Sequence, residues 1–267
     1  MKRCGSILTA VMVMLVLSTS QAAAQFYKVY GYQAPGAGEL ELVSFNTYIP
    51  ASDLSYSYFG KELDKEGLLA HALELEYGIT TKYTAALYFD FADPADGPMR
   101  YIRTRALACY YRFYDPGVLP MDLGFYAEYI IPKKDYDDSE QLELKLIMEK
   151  SFGSLTLDLN PGVEKKTSGR KVDEPTELTF AARLFYCENP RFQPGLELYS
   201  NMGAISEFEG FNEQKHYIFP TLDISFGRKT FSVYRFIWHL GVGVGLTDAS
   251  DKVVVKSIFS AGFNLLP

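Results

Sequence analysis

Three histidines, His71, His216 and His239, are the first places to look for chemistry in this 267-residue chain. Metal sites draw on His and Cys at short, fixed spacings. These three stand on separate stretches, with no H-x-x-x-H and no Cys at ligand spacing. Neither a metal nor another cofactor is therefore expected. Nucleophilic catalysis needs a Ser held against a base. Ser225 and Ser260 share the parity of the polar positions, and nothing brackets either as a nucleophile. GVGVG, residues 241–245, lacks the G-x-G-x-x-G spacing of a nucleotide loop and any helix after it. In an extended run its glycines line one face and leave room for a bulky neighbour. The chain reads as a protein without enzymatic activity.

What it offers instead is charge at alternate positions. In HALELEYGITTKYTAALYFDF, residues 71–91, Leu73, Leu75 and Tyr77 alternate with Glu74 and Glu76. Leu87, Phe89 and Phe91 alternate with Tyr88 and Asp90. The same parity puts Arg103, Arg105, Glu128, Glu143, Lys145, Glu149, Asp158, Glu177, Arg183 and Glu197 on one face of successive runs. Allowing for strand direction, Arg103, Glu128, Lys145, Asp158, Arg183 and Glu197 fall near one height with alternating sign. Opposite charges on adjacent strands attract across a sheet, so a belt of ion pairs between neighbours is expected. Cys109 and Cys187 share this parity on runs that are not neighbours. A disulfide needs Cα atoms within about 7 Å, so both are expected as free thiols.

No stretch after the first 24 residues sustains helical periodicity over three turns. Period two dominates, in the runs 39–48, 68–77, 83–92, 100–113, 121–131, 140–150, 154–160, 176–187, 194–201, 215–226, 233–246 and 252–263. The connections alternate between short (78–82, 151–153) and long (49–67, 161–175, 202–214). A soluble sandwich would turn the leucines to a core; a membrane barrel turns them to lipid and the charges to a lumen. Three features favour the barrel. The runs exceed the five or six residues usual in soluble sheets. Their apolar face stays apolar, as in Leu142, Leu144, Leu146 and Met148. Aromatics crowd the run ends, as in Tyr77, Tyr83, Phe91, Tyr110, Phe113, Tyr129, Phe152, Tyr186 and Phe226, where interfacial girdles lie.

The predicted fold is all-β, a transmembrane antiparallel up-and-down barrel of about 12 strands over residues 25–267. Its lumen-lining residues are expected to be Glu74, Glu76, Asp90, Arg103, Arg105, Glu128, Lys145, Asp158, Arg183 and Glu197. Residues 1–24 read as a signal peptide: Lys2 and Arg3, an apolar run, then Ala22, Ala23 and Ala24 before the cut. The apolar run is shorter than the ~20 residues of a membrane helix. An even strand count puts both termini on one side, expected to be the periplasm. A net charge of −7 and a pI near 5.1 argue against a nucleic-acid partner. No pattern fixes an oligomeric state.

GELELVSFNTY, ELEYGITTKYTAALYFDF, ELELKLIMEKSFGSLTLDLN, QKHYIFPTLDISFG and WHLGVGVGLTDASDKVVVKSIFS together resemble the MetA-pathway of phenol degradation family, from Gly38 to Phe263. The resemblance implies a transporter-like barrel of the Gram-negative outer membrane, without catalytic residues, whose partners are outer-membrane lipid and small-molecule solutes of aromatic or hydrophobic kind. One departure is that Phe263 is followed by NLLP, whereas outer-membrane chains usually end on an aromatic. The expected role is a passive channel or transporter for small solutes. One alternative is a structural or surface-interaction barrel with a closed lumen. The other is a lipid-modifying enzyme, which would carry a Ser/His pair at the barrel rim.

Overall fold

The computed structural model describes residues 26–226 and 233–265, apart from the side chains of residues 107, 108, 233 and 234. The expected signal peptide lies outside the described residues. The strands are β1 (Glu39–Ala51), β2 (Ser55–Tyr58), β3 (Lys61–Asp64), β4 (Leu69–Gly78), β5 (Tyr83–Asp93), β6 (Arg100–Arg112), β7 (Asp122–Pro132), β8 (Gln141–Phe152), β9 (Leu155–Lys166), β10 (Glu177–Tyr186), β11 (Phe192–Ala204), β12 (Lys215–Phe226), β13 (Val233–Gly245) and β14 (Val253–Asn264). All but β2 and β3 form one closed antiparallel barrel, in which β1 pairs with both β4 and β14. Each of these twelve strands is 10 to 13 residues long, enough to cross a bilayer when tilted.

Alternation sorts the side chains. Leu73 and Leu75 are 48% and 46% exposed while Glu74 between them is buried. Leu196 and Leu198, 44% and 41% exposed, flank the buried Glu197. A surface that is apolar outside and charged inside inverts the soluble rule and suits lipid. No described helix is long and apolar enough to cross a membrane; a barrel crosses with strands, whose backbone groups pair around the ring. Tyr77, Phe113, Phe152, Tyr186 and Phe226 are exposed at strand ends on the rim where β1 starts and β14 stops. They form an aromatic girdle there. This rim is called terminal below, and the opposite one far.

Three expectations need correction. Residues 161–166 are not loop but the second half of β9. Pro161 has no N–H to donate, and the β8–β9 ladder skips it, passing from Lys145↔Gly162 to Met148↔Leu159. Gly162 is a packing glycine: a Cβ there would meet Lys145 Cγ and Thr179 Oγ1 at 2.8 Å. Next, β6 bulges between Ala106 and Cys109, and an extra residue reverses the faces beyond it. Tyr110 is therefore buried inside rather than part of a girdle, and Cys109 turns outward opposite Ala127. Both cysteines are free. Finally, the long connection 52–68 contains the β2–β3 hairpin, whose Tyr56 and Tyr58 pack on Ala70, Ala92 and Ile102 at the far mouth. Lys65 and Ser52 tie this hairpin to Asp251 at 2.9 and 2.7 Å.

Candidate functional site

The lumen is partly filled by the chain itself. Residues 26–37 run from the terminal rim up into the barrel, held at successive heights by different strands. Gly38 exchanges backbone bonds with Gly78 and Leu265 at the rim. Gly78 must be glycine, since a Cβ would stand 1.8 Å from Gly36 O. Above it, Thr84 donates to Pro35 O, Tyr110 to Gly31 O, and the Tyr32 N–H donates to Glu149. Asn160 then clamps Tyr30 twice: its Oδ1 accepts the Tyr30 N–H at 2.6 Å and its Nδ2 donates to Tyr30 O at 2.9 Å. Lys28 pairs with Glu74 at 3.2 Å. At the top, Lys256 donates to Tyr27 O, and the Tyr27 ring packs among Tyr199, Tyr217 and Phe219.

Around this segment the charged side chains gather into two clusters. In the first, Asp90 is fully buried between Arg103 at 2.5 Å and Arg105 at 3.1 Å. Arg105 also reaches Glu128 at 3.2 Å and lies over the Tyr88 ring. In the second, Glu197 meets Arg183, His239 and Lys256, while Arg183 and His239 also hold Asp223. Such buried charges persist only where paired.

The expected continuous belt is not what forms. Glu128 pairs with Arg105 rather than Arg103, and Lys145 pairs with Glu143 of its own strand at 2.6 Å. The stagger of the strands sets Glu128, Glu143, Glu164 and Glu177 directly opposite one another across β7 to β10. Like charges in register repel, so each carboxylate has its own donor: Arg105, Lys145, Gln141 and Asn201 respectively. Asp158 stands between Glu149 and Arg183 in register, and Arg183 stands opposite Glu197, as expected, but Asp158 forms no ion pair. Gly31 lies against Glu149 and Asp158, and the Asp158 Oδ1 takes no hydrogen bond. Glu76 faces Glu41, which pairs with Arg235 at 2.6 Å. Of the ten expected lumen residues, Asp90, Arg103, Arg105 and Glu128 thus meet directly, as do Arg183 and Glu197; Glu74 and Asp158 meet the amino-terminal segment.

Above that segment a cavity of about 250 Å³ opens between the far-rim loops. Phe26, Lys28 and Tyr30 form its floor, and Glu143, Lys145, Glu164 and Lys171 are among its walls. The inward glycines of GVGVG make space for bulk: a Cβ on Gly243 would meet Phe219 Cζ at 2.2 Å, and one on Gly241 would meet Lys256 Cε at 2.8 Å. Sequence reasoning missed the segment that fills the lumen. Its signal was FYKVYGY (26–32), where aromatics crowd a stretch that precedes the first strand.

No family model matches the sequence, and no curated protein matches it. Solved structures do match it in shape. An outer membrane channel from Pseudomonas putida superposes with a TM-score of 0.55 at 13% identity, over 89% of this chain and 100% of that one. The fold is that of an outer-membrane β-barrel. The KdgM porin, solved in complex with disordered oligogalacturonate, gives 0.50 at 8% identity, over 84% of this chain and 98% of that one. At such identities the likeness speaks for the architecture alone.

Proposed function

We propose that this protein is a passive outer-membrane channel for small solutes, a member of the MetA-pathway of phenol degradation family, with both termini in the periplasm and outer-membrane lipid around its wall. One observation carries the reading: an apolar-sided barrel encloses a charged vestibule that ends on the chain's own amino-terminal segment. A wall dressed with carboxylates, amines and tyrosines offers hydrogen bonds at every height, which suits small polar or phenolic solutes. Passage past Tyr30 requires the segment to yield. The test is uptake by liposomes carrying the folded protein, across a panel of sugars, amino acids and phenols. Uptake that falls with solute size supports the channel. No flux from a folded barrel would overturn it in favour of a closed structural barrel, a reading that the fully paired Glu197 cluster favours.

A further inference from the structure

Apart from the lumen, we propose that the outer wall carries a catalytic site: Ser200, His216 and Gln214 form a nucleophile, base and orienter acting on the carboxylic esters of membrane lipids. Ser200 continues the outward row of Leu196 and Leu198 on β11, and its register partner on β12 is His216. Their chain neighbours Tyr199 and Tyr217 point the other way, onto Tyr27. The pair is half-exposed near the far rim, just above the apolar band. Lipid ester carbonyls lie at that boundary of chains and headgroups.

The hydrogen bonds fix the roles. Gln214 Nε2 donates to Glu209 O at 2.7 Å, which turns the amide oxygen toward His216 Nε2, 2.9 Å away. An amide oxygen only accepts, so Nε2 carries the imidazole proton. The lone pair on Nδ1 then faces Ser200 Oγ at 2.8 Å and accepts its hydroxyl proton. Phe211 stacks on the ring at 4.8 Å and 18°, holding its plane. This is a serine activated by a base that a third group orients, with the two imidazole nitrogens exchanged relative to the familiar serine triad.

In the step, Ser200 Oγ attacks the ester carbonyl carbon while its proton passes to His216 Nδ1. The bond from that carbon to the alcohol oxygen breaks, and the alcohol leaves with the proton from Nδ1. Water then attacks the acyl-serine, gives one proton to Nδ1 and releases the fatty acid; that proton returns to Ser200. One ester and one water become one acid and one alcohol.

The test uses the full chain in detergent micelles, with a fluorophosphonate label and dye-labelled phosphatidylcholine. Wild type should take the label on Ser200 and release fatty acid. Ser200→Ala should abolish both, and His216→Ala should slow them at least ~100-fold. Gln214→Leu should slow release and shift its pH profile, with partial rescue by Gln214→Glu. Heat-dependent gel mobility checks that each variant is folded, and liposome flux through Ser200→Ala should equal wild type. No label and no release from folded wild type would overturn the proposal, as would a Ser200→Ala variant as active as wild type.

Discussion

Replacing Asn160 by Ala should unseat the amino-terminal segment. The side chain gives both halves of the clamp on Tyr30, at 2.6 and 2.9 Å, deep inside the barrel. Its loss leaves a buried N–H and a buried C=O without partners, at about 1–3 kcal/mol each. If water enters the space, only the two net bonds are lost, together about 1–3 kcal/mol. A value of about 2–3 kcal/mol multiplies the unseated population by roughly 30 to 150. In planar bilayers the variant should open to larger conductance levels, or dwell in them longer, than wild type. In detergent, a protease added to the folded barrel should cut within residues 26–37 faster. Asn160→Asp keeps the acceptor for the Tyr30 N–H and loses the donor, so it should fall between. Conductance and cleavage unchanged in folded Asn160→Ala would refute the idea that this clamp seats the segment.

Other substitutions test the wall. Gly243→Val drives a side chain into Phe219 and should lower barrel stability by about 1–3 kcal/mol, read as a lower urea midpoint by gel mobility; Phe219→Ala in the same chain should restore part of it. Glu197→Gln strips the counter-charge from the buried Lys256, while Arg183 keeps Asp223, which should cost about 3–5 kcal/mol in the same assay. At the far rim, the Tyr129 hydroxyl and then Ser168 hold the Glu140 carboxyl below the usual range. With its folded pKa depressed, the contact's contribution is present above the unfolded value, about 4.3, and is lost as pH falls through the folded one. Tyr129 should therefore loosen only in acid, seen as a step in its ring signals, and Tyr129→Phe should move the Glu140 titration up toward the unfolded value.

The strands were legible because one physical rule governs them. A two-residue period with lipid outside fixes which side chain goes where, as for Leu73 against Glu74. The rule fails where the backbone breaks its own count: the bulge in β6 reverses Cys109 and Tyr110, and no residue type there announces it. Pro161 and Gly162 look like a turn, yet the ladder skips the proline and Lys145 needs the glycine's space. Ion-pair partners were less legible still. Parity gives the face but not the stagger, and the stagger decides that Glu128 stands opposite Glu143 rather than Lys145. The segment at 26–37 has no period of its own, because each of its residues answers to a different strand.

That arrangement has a mechanical consequence. Thr84 on Pro35, Glu149 on Tyr32, Asn160 on Tyr30, Glu74 on Lys28 and Lys256 on Tyr27 hold the segment from five different strands, and Gly38 ties its rim end to Gly78 and Leu265. A force along the barrel axis loads these contacts together, like rungs in shear. Loss of one rung leaves the rest to carry the load, so the segment should loosen by degrees as contacts are removed.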